Sequence, residues 1–379
     1  MRPQFIFNQA HSGVTAYGVE RRFESVDCAL EFADRGEYPL VGAMPFHPQD
    51  TAALFIPSTI TLADGPYLAA SERDDKSRKQ ASQPQRANRL LHTNYLPSWD
   101  EHAGRVARLV EQIRSSELEK IVASRREVYQ FADAINPYQV FSRLANNSTE
   151  YYSHFVDLGG DEFFLGNSPE VLIRKTGAII SSFPLAGSVR REKDPYKDQQ
   201  LARELEHSSK DHHEHAFVTE GIRDTLAPMC KTLTVPTKPS LMSTSHTWHL
   251  GTQILGELHD PTVSVVDLAR MLHPTAAVNG APSELAQSIL ATEEPSRGLY
   301  AGAVGWANAA GDGEWRVAIR SAMIAGDTAI AYAGGGIVAD SDPHKELEET
   351  RFKLGPIRAA LGITTAQQPR NTELTGAQD

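Results

Sequence analysis

Carboxylates at helical spacing late in the sequence are the first candidates for chemistry. Glu346 and Glu349 are three residues apart and Lys353 follows four residues later, so a helix would place all three on one face. Such a face is most often a solvent-exposed set of ion pairs. Here it would follow YAGGGIVADSDP, residues 332–343, whose glycines let a backbone approach an anion closely. The combination is a candidate metal or anion site.

A second cluster, KDHHEHAF at residues 210–217, surrounds Glu214 with histidines. The histidines that raise a zinc alternative are His212, His213, His215, His246 and His249. The cluster lacks the HExxH order of metalloproteases, and no third ligand has a helical offset. Carboxylate oxygens, with water and substrate in the remaining positions, are typical of magnesium sites. The sequence therefore favours magnesium, held by Glu214 and the late glutamates, over zinc.

Three further side chains are of types that move protons or bind carboxylates. Glu170 lies between a proline and an apolar run in GNSPEV, where desolvation would keep a carboxyl group protonated as a general acid. Lys120 opens the apolar segment KIVAS, and a lysine acts as a base only where its surroundings favour the neutral form. Arg320 is predicted to lie mid-strand in RVAIRSA, where a carboxylate ligand would offset the cost of burial. Taken singly, each also fits an ordinary structural role.

Strands and helices must interleave to bring these side chains together. Turn glycines predict hairpins over residues 151–167 and 171–188. Apolar spacing predicts one helix ending near Leu118, and others over residues 194–228, 264–274 and 345–361. Further strands are expected over residues 246–258, 300–306, 313–326 and 328–338. This order predicts an α+β or α/β enzyme.

Composition limits the class of protein further. The 379 residues are 40% hydrophobic and 22% charged, which is typical of a soluble globular chain. A net charge of −11 disfavours nucleic acid and anionic membranes as partners. Two cysteines cannot build a disulfide framework, and no apolar run reaches the roughly 20 residues of a membrane span. The N-terminus lacks a secretory pattern, so we expect a cytoplasmic protein.

Taken in order, the segments resemble the chorismate-utilising enzymes, specifically isochorismate synthases of siderophore-type pathways. The matching blocks are EKIVASRREV, FFLGNSPEVLIRK, PLAGSVRR, SSKDHHEHAFV, HLGTQILGEL, LHPTAAVNGAP, RGLYAGAVGW, GDGEWRVAIRSA, YAGGGIVADSDPHKELEET and FK at 352–353. They span residues 119–353 in the order of the family, and the first hundred residues carry no comparable motif.

The resemblance implies an α+β fold in which two antiparallel β-sheets pack face to face with helices on the outside. Length alone would allow two or three domains, but the family implies one chorismate-utilising domain over residues 1–379. We expect a divergent N-terminal part at 1–100 with a polar loop at 64–94, a catalytic core at 101–363 and a flexible tail at 364–379. A monomer suffices.

The resemblance also implies roles for individual residues. Lys120 would take a proton from the attacking water, and Glu170 would protonate the departing ring 4-hydroxyl. Mg²⁺ would be bound by Glu214 and Glu349, with Glu346 as a direct or water-mediated ligand, and would hold the ring carboxylate. The substrate-binding residues would be Arg320 with the backbone near Gly334 at the enolpyruvyl carboxylate, His249 near the ring, Lys353 beside the metal or a carboxylate, and Gly187, Ser188 and Ala277 along the pocket.

Subfamily features favour water as the nucleophile. Anthranilate synthases, which use ammonia, typically lack a lysine at the position of Lys120, and Ala186 occupies a position where aminodeoxychorismate synthases often carry a nucleophilic lysine. No glutamine-amidotransferase domain is expected in a chain of this length. HPTAAVNG is closer to isochorismate synthases than to salicylate synthases, which also eliminate pyruvate.

The sequence therefore predicts an enzyme that converts chorismate to isochorismate and acts before an isochorismatase or a pyruvate lyase. Salicylate synthase is the alternative. A non-catalytic chorismate-binding paralogue and a zinc hydrolase using His212, His215 and His249 are alternatives of other classes. The pathway that uses the product stays open among siderophore, salicylate-derived metabolite, menaquinone and antibiotic synthesis.

Overall fold

The chain is represented by a computed structural model that describes residues 2–9, 11–34, 38–67, 88–146, 152–244 and 247–363. The strands are β1 (Phe5–Asn8), β2 (Ser12–Tyr17), β3 (Arg21–Phe23), β4 (Leu40–Met44), β5 (Ala53–Ile56), β6 (Thr59–Asp64), β7 (Leu90–Leu96), β8 (Lys120–Phe131), β9 (Ser153–Gly159), β10 (Glu162–Asn167), β11 (Val171–Thr176), β12 (Ile179–Phe183), β13 (Leu185–Arg190), β14 (Cys230–Thr234), β15 (Ser240–Ser243), β16 (Thr247–Gly251), β17 (Ile254–Leu258), β18 (Gly280–Ala281), β19 (Ala303–Ala307), β20 (Gly313–Val317), β21 (Ser321–Ala325) and β22 (Thr328–Ile337). The helices are α1 (Val26–Asp34), α2 (Trp99–Ser115), α3 (Pro137–Asn146), α4 (Pro195–His207), α5 (Ser209–Leu226), α6 (Val265–Leu272), α7 (Ser283–Glu293), α8 (Pro343–Lys353) and α9 (Gly355–Leu361).

Two large antiparallel sheets form the centre of the molecule. The first, sheet A, has the order β18-β8-β22-β21-β10-β9-β1-β2-β6, with β7 also paired to β8. The second, sheet B, has the order β14-β17-β12-β11-β20-β19-β4-β5-β3. A small sheet C, β13-β16-β15, was not anticipated from the sequence. Buried apolar side chains of both large sheets form common clusters, with Phe5 and Phe7 of sheet A packed among Val41 and Phe55 of sheet B. The predicted α+β arrangement of two sheets face to face is confirmed.

Helices cover the outside of this pair of sheets. Helices α3 and α9 pack together, with α3 over β9 and β10, and Leu144 and Ile357 belong to the buried cluster beneath them. Ser98 caps the N-terminus of helix α2. Its side chain accepts from Glu101 N–H, and the Glu101 carboxylate accepts from Ser98 N–H, so this capping box satisfies two backbone donors at the start of the helix. Helix α6 packs against β11, β19 and β20 of sheet B. The predicted outer helices are therefore present.

Two segments predicted as single strands are each divided between two sheets. The strand expected over residues 313–326 is two strands, β20 in sheet B and β21 in sheet A. The placement of Arg320 within a strand was therefore wrong: it lies between them with φ +53°. The strand expected over 246–258 is likewise divided between sheets C and B. The alternation of polar and apolar residues continues where the chain passes from one sheet to another, so this pattern alone does not reveal the division.

The helical segment 194–228 is also two helices. Ser208 ends α4 and caps α5, because its hydroxyl accepts from Asp211 N–H and competes with a continuous helix. The long C-terminal helix expected from the sequence is interrupted at Leu354. Leu354 is the N-cap of α9, and Pro356 lies in the first turn of that helix.

Two expected segments fall wholly or partly outside the described residues. Of the polar loop expected at 64–94, residues 68–87 are not described, while residues 90–94 belong to β7 and pair with β8, which corrects the loop prediction there. The tail expected at 364–379 is not described. Within the part of the chain that is described, no helix is both long and apolar enough to cross a bilayer.

Candidate active site

A cavity of about 870 Å³, including its open mouth, lies where α5, α8, β22 and sheet C meet. Ten of the twelve residues predicted from the sequence line it: Glu170, Gly187, Ser188, Glu214, His249, Ala277, Arg320, Gly334, Glu349 and Lys353. The remaining two, Lys120 and Glu346, are buried behind its wall. The structure thus gathers side chains separated by more than 200 positions in the sequence.

Lys120 is the first residue of β8, and its side chain is fully buried. Its Nζ lies 3.0 Å from Glu214 Oε1 on α5. Gly336 of β22 makes room for this pair, since a Cβ at that position would overlap Glu214 Oε1 and lie 3.2 Å from Lys120 Cε. Burial acts to raise the pKa of Glu214, but the charge and hydrogen bond of Lys120, together with the charges of Lys353 and Lys210, outweigh burial and lower the pKa. Glu214 is therefore a carboxylate at neutral pH.

Each of the three predicted metal ligands has a lysine partner. The ion pairs are Lys120–Glu214 at 3.0 Å, Lys210–Glu346 at 3.3 Å and Lys353–Glu349 at 2.6 Å. Lys353 Nζ also donates to Gly334 O over 2.9 Å. Sequence reasoning missed Lys210, although its position four residues before Glu214 on a helix was a usable signal.

Glu346 carries an unpaired oxygen. Ser341 Oγ donates to Glu346 Oε1 over 2.8 Å, whereas the buried Oε2 has no hydrogen-bond partner among the described residues. Burial, followed by the charge of Glu349, raises the pKa of Glu346 to about 6. An orphaned carboxylate oxygen beside a second carboxylate is a fitting environment for a hard divalent cation.

The glutamates of the site are paired with lysines and are not grouped as a set of metal ligands. Across residues 2–9, 11–34, 38–67, 88–146, 152–244 and 247–363, no three His, Cys, Asp or Glu side chains stand together as a ready ligand set. The carboxylates fit magnesium in their chemistry, but lysines hold the pairing positions. Among the described residues, the histidines that a zinc site would need do not form a cluster. His212 Nε2 contacts Glu206 O, and His215 Nε2 contacts Thr252 Oγ1. His246 lies outside the described residues.

Glu170 is held at the beginning of β11 by hydrogen bonds between its neighbours and β20. Ser168 Oγ donates to Val317 O over 2.6 Å, and Val317 N–H donates to Glu170 O over 3.2 Å. Burial raises the pKa of the Glu170 carboxyl group to about 8, although the charge of Lys120 opposes the shift. Glu170 is consequently protonated at neutral pH and able to donate a proton into the cavity.

Arg320 and His249 supply polar groups without protein partners. The Arg320 guanidinium makes no hydrogen bond or ion pair with any described residue, and burial lowers its pKa. Burial, with the charges of Arg320 and Lys353, lowers the pKa of His249 to about 3, so its imidazole is neutral. Its Nε2 has no partner in the described part of the chain. A free guanidinium and a free imidazole nitrogen are both available to an anionic ligand.

Sheet C forms the wall that carries Gly187, Ser188 and His249. Ser188 of β13 is paired with His249 of β16. Gly187 has φ +72°, and a Cβ there would lie 2.9 Å from Asp211 Cβ, so this position requires glycine. Ala277 also lines the cavity, next to Val278 in the chain.

Two tyrosines of the cavity were not predicted. Tyr300 and Tyr332 stack with ring centroids 5.1 Å apart and an interplanar angle of 12°, and burial raises the pKa of both. Each opens a YAG tripeptide, and this repetition was the signal available in the sequence. Their rings give the cavity a flat apolar side.

Comparison with known proteins identifies the family of this chain. Residues 58–362 match the model of a family described as chorismate binding enzyme. The isochorismate synthase DhbC of Bacillus subtilis is 38% identical over 331 residues, 86% of this chain and 81% of that protein. The vibriobactin-specific isochorismate synthase of Vibrio cholerae is 33% identical over 377 residues, 96% of this chain and 92% of that protein.

A solved structure shares the fold. The structure of MenF, the menaquinone-specific isochorismate synthase of Escherichia coli, superposes with a TM-score of 0.82 at 27% identity, covering 95% of this chain and 89% of that one. The resemblance inferred from the ordered motifs is thereby confirmed. This chain belongs to the family of chorismate binding enzymes.

Proposed function

We propose that this protein is an isochorismate synthase, which adds water to ring carbon 2 of chorismate and releases the 4-hydroxyl as water. The observation that carries the proposal is the buried, protonated Glu170 in the same cavity as the unpaired guanidinium of Arg320. The first is a general acid and the second binds a carboxylate of the substrate. The names of the similar proteins support the same activity.

The proton transfers follow from the positions of two residues. Glu170 donates its proton to the departing 4-hydroxyl, so that oxygen leaves as water. Lys120, in its neutral form, takes a proton from the water that attacks carbon 2, while the ring double bonds shift. Lys120 must therefore release a proton to solvent as it leaves its 3.0 Å ion pair with Glu214 and becomes the neutral base. When one proton then passes from Lys120 back to Glu170, both residues return to their starting protonation states.

Substrate binding falls to the groups that lack protein partners. Arg320 binds the enolpyruvyl carboxylate, with the backbone near Gly334 beside it, and the neutral His249 contacts the ring. The Tyr300–Tyr332 stack covers an apolar side of the ring and excludes water.

We also propose that the activity depends on Mg²⁺, with Glu214, Glu346 and Glu349 as its ligands. When bound, the ion neutralises and orients the ring carboxylate of the substrate. The unpaired Oε2 of Glu346 and the field of Glu349 support this assignment. Lys210 and Lys353 balance the carboxylates when no cation is present.

Glu349→Gln tests the metal proposal. Removing this carboxylate should weaken binding of Mg²⁺, measured by calorimetry, at least tenfold, because one of three anionic ligands is lost. The control is Glu348→Gln on the same helix, whose carboxylate is half exposed and pairs with Arg351. Equal magnesium affinity in wild type and Glu349→Gln would remove Glu349 as a ligand.

The activity itself is tested with purified protein, chorismate and Mg²⁺, with products separated by chromatography and a metal-free control. Isochorismate without pyruvate is expected. Salicylate with an equal amount of pyruvate would replace the proposal with a salicylate synthase. Unchanged chorismate, with or without the ion, would contradict both and leave a chorismate-binding paralogue.

We propose further that the isochorismate enters siderophore-type synthesis, as the motif resemblance implies. Similarity to the vibriobactin-specific enzyme supports this assignment, whereas similarity to the menaquinone-specific MenF favours the other destination. Deleting the gene in its host should stop secretion of catechols or salicylates in iron-poor medium and leave menaquinone unchanged. Loss of menaquinone instead would reverse the assignment.

A further inference from the structure

Strand β8, which begins with Lys120, has a gap along one edge. On one side it pairs with β22 over residues 121–130. On the other side β18 pairs with residues 120–121 and β7 with residues 126–131, so no described strand faces residues 122–125. Val122 and Ser124 are buried there, 6% and 8% exposed. Unpaired backbone groups at such positions would be costly.

The side chains of Arg297 and Glu294 bind two of the backbone groups that a neighbouring strand would otherwise pair. Arg297 Nη2 donates to Val122 O over 2.6 Å, and Ser124 N–H donates to Glu294 Oε2 over 3.2 Å. Glu294 and Arg297 also form an ion pair with each other, and both side chains are almost completely buried. We call this pair of residues the edge clamp.

The two remaining backbone groups of the gap are also satisfied. Arg105 Nη2 donates to Ser124 O, and Val122 N–H donates to Asn279 O over 2.8 Å. All four backbone groups therefore have partners, and three of these partners are side chains. The gap is held by a specific set of contacts and is not an open strand edge.

Arg297 connects this strand to a second wall of the cavity. Its Nη1 donates to Val278 O over 2.7 Å, while Nη2 holds Val122 O. Val122 and Val278 both line the cavity, whereas Arg297 does not. The guanidinium lies 4.3 Å from the ring centroid of Phe46, which packs against its face. A planar group with fixed donor directions thus sets the separation of two carbonyls from different segments.

We propose that Arg297 is a positioning residue for the reaction: it holds β8 and the 275–279 segment in register, so that Lys120 reaches the bound ring. The inference rests on the proposed function of the cavity. Lys120 precedes Val122 by two residues on the same strand, so a shift of the Val122 carbonyl moves the base. Substrate affinity depends mainly on Arg320 and His249, which belong to other elements.

Arg297→Lys tests the inference while keeping a cation opposite the buried Glu294. A lysine ammonium cannot reproduce the planar fork. We expect kcat, corrected for the folded fraction, to fall by about 10- to 100-fold, because a displacement near 1 Å has an effect of that size. KM should change less than about threefold, since the carboxylate-binding groups are untouched. A residue with only a structural role would lower the folded fraction and leave the corrected kcat unchanged.

Arg108→Lys is the matched control. Arg108 pairs with Glu293, the neighbour of Glu294, but its side chain is 65% exposed and is not among the residues that line the cavity. Its kcat and KM should equal those of the wild type. A corrected kcat of Arg297→Lys equal to that of Arg108→Lys would overturn the inference.

Hydrogen exchange provides a readout that does not need turnover. A peptide covering residues 119–127 should exchange faster in Arg297→Lys than in wild type, while a peptide from the β21–β22 hairpin should not change. If Arg297→Lys does not fold, Glu294→Gln, which keeps an acceptor for Ser124 N–H, should show the same local change and a smaller loss of kcat. Unchanged exchange in the folded variant would overturn the clamp. A wild type that makes no isochorismate would contradict the proposed function instead, and exchange would still report on the clamp.

Discussion

Glu170 combines a chemical role with a cost in stability. Its ordinary pKa of 4.5 is raised to about 8 by burial, so the native protein keeps a proton that the unfolded chain loses above pH 4.5. Stability contributed by this group is present below pH 4.5 and is lost as the pH rises towards 8. Proton donation needs the protonated form, which the native protein loses only as the pH passes about 8.

The first prediction concerns Glu170→Gln. Turnover should fall at least 100-fold, because the amide cannot donate a proton as an acid does. At pH 8 the free energy of unfolding should exceed that of wild type by roughly 2–5 kcal/mol, because the variant no longer buries an ionisable group, and at pH 4 the two should be similar. Urea unfolding at both pH values measures this. The exposed Glu162→Gln is the control, and a Gln variant destabilised at pH 8 would contradict the assigned shift.

In the wild type, kcat should decline tenfold per pH unit above about pH 8, because Glu170 then loses its proton. A pH–rate profile with saturating substrate measures this. A decline that persists unchanged in Glu170→Asp would point to another group.

Gly336 is a second residue whose identity is dictated by the site. Gly336→Ala should abolish turnover, because the new Cβ would overlap Glu214 Oε1 and crowd Lys120. Gly221→Ala on α5, where no atom lies within 4 Å of a Cβ, should keep full activity and gain some stability from helix propensity. Steady-state kinetics with thermal unfolding distinguishes the two. An active Gly336→Ala would mean that Lys120 and Glu214 do not need this space.

Helix α8 is the element whose placement matters most, since it carries Glu346, Glu349 and Lys353. It is held to β8 by Arg125 Nε, which donates to Thr350 Oγ1 over 2.8 Å. Arg125 also pairs with Glu127 at 2.6 Å, and both residues are buried. The strand that carries Lys120 thus also fixes the helix that carries the late glutamates.

Thr350→Val should loosen this attachment. The substitution keeps the shape of the side chain but leaves Arg125 Nε without an acceptor, at a cost of about 1–3 kcal/mol in stability. Binding of Mg²⁺ should weaken because the helix is less firmly held. Urea unfolding and calorimetry measure the two effects. Magnesium affinity equal to that of wild type would show that α8 is positioned without Arg125.

How far the elements could be predicted depended on whether a segment stays in one sheet. The β9–β10 and β11–β12 hairpins were foreseen because a glycine turn between two apolar runs is a local signal. The division at Arg320 was not, since its positive φ results from a chain that leaves sheet B for sheet A. Local propensity carries no information about which sheet a strand joins.

At the scale of the whole molecule, buried charge connects the two large sheets. Arg316 of β20 is fully buried, donates to Glu314 Oε1 over 2.7 Å and donates to Asn8 O of β1 over 2.9 Å. Its guanidinium lies 4.3 Å from the ring centroid of Phe7. Neither Arg316 nor Glu314 lines the active-site cavity.

Arg316→Met should therefore lower stability and leave catalysis intact. Loss of one partner of a buried pair costs about 3–5 kcal/mol, and here the buried Glu314 carboxylate loses one of its two guanidinium partners. The kcat and KM should stay within about twofold of wild type, since distant sites are independent. Arg174→Met, which removes a half-exposed partner of the same Glu314, should cost less. A large change in kcat for Arg316→Met would show coupling between the sheet interface and the site.

The sequence by itself determined which groups are present and in what order. Ordered motifs from Glu119 to Lys353 identified the family. Glu170 and Arg320 were found because charged groups in apolar surroundings are unusual, whereas Glu214 was found in its histidine cluster and Glu349 by its helical spacing from Glu346. A single domain, a monomeric state and a cytoplasmic location stay predictions.

Only the tertiary structure decided which of these groups meet. The Lys120–Glu214 pair joins residues 94 positions apart, and the Lys210–Glu346 pair joins residues 136 apart. The protonated state of Glu170 and the neutral state of His249 likewise depend on burial by distant segments. Composition and spacing describe a residue and its chain neighbours, whereas pairing and desolvation depend on atoms that folding alone brings near.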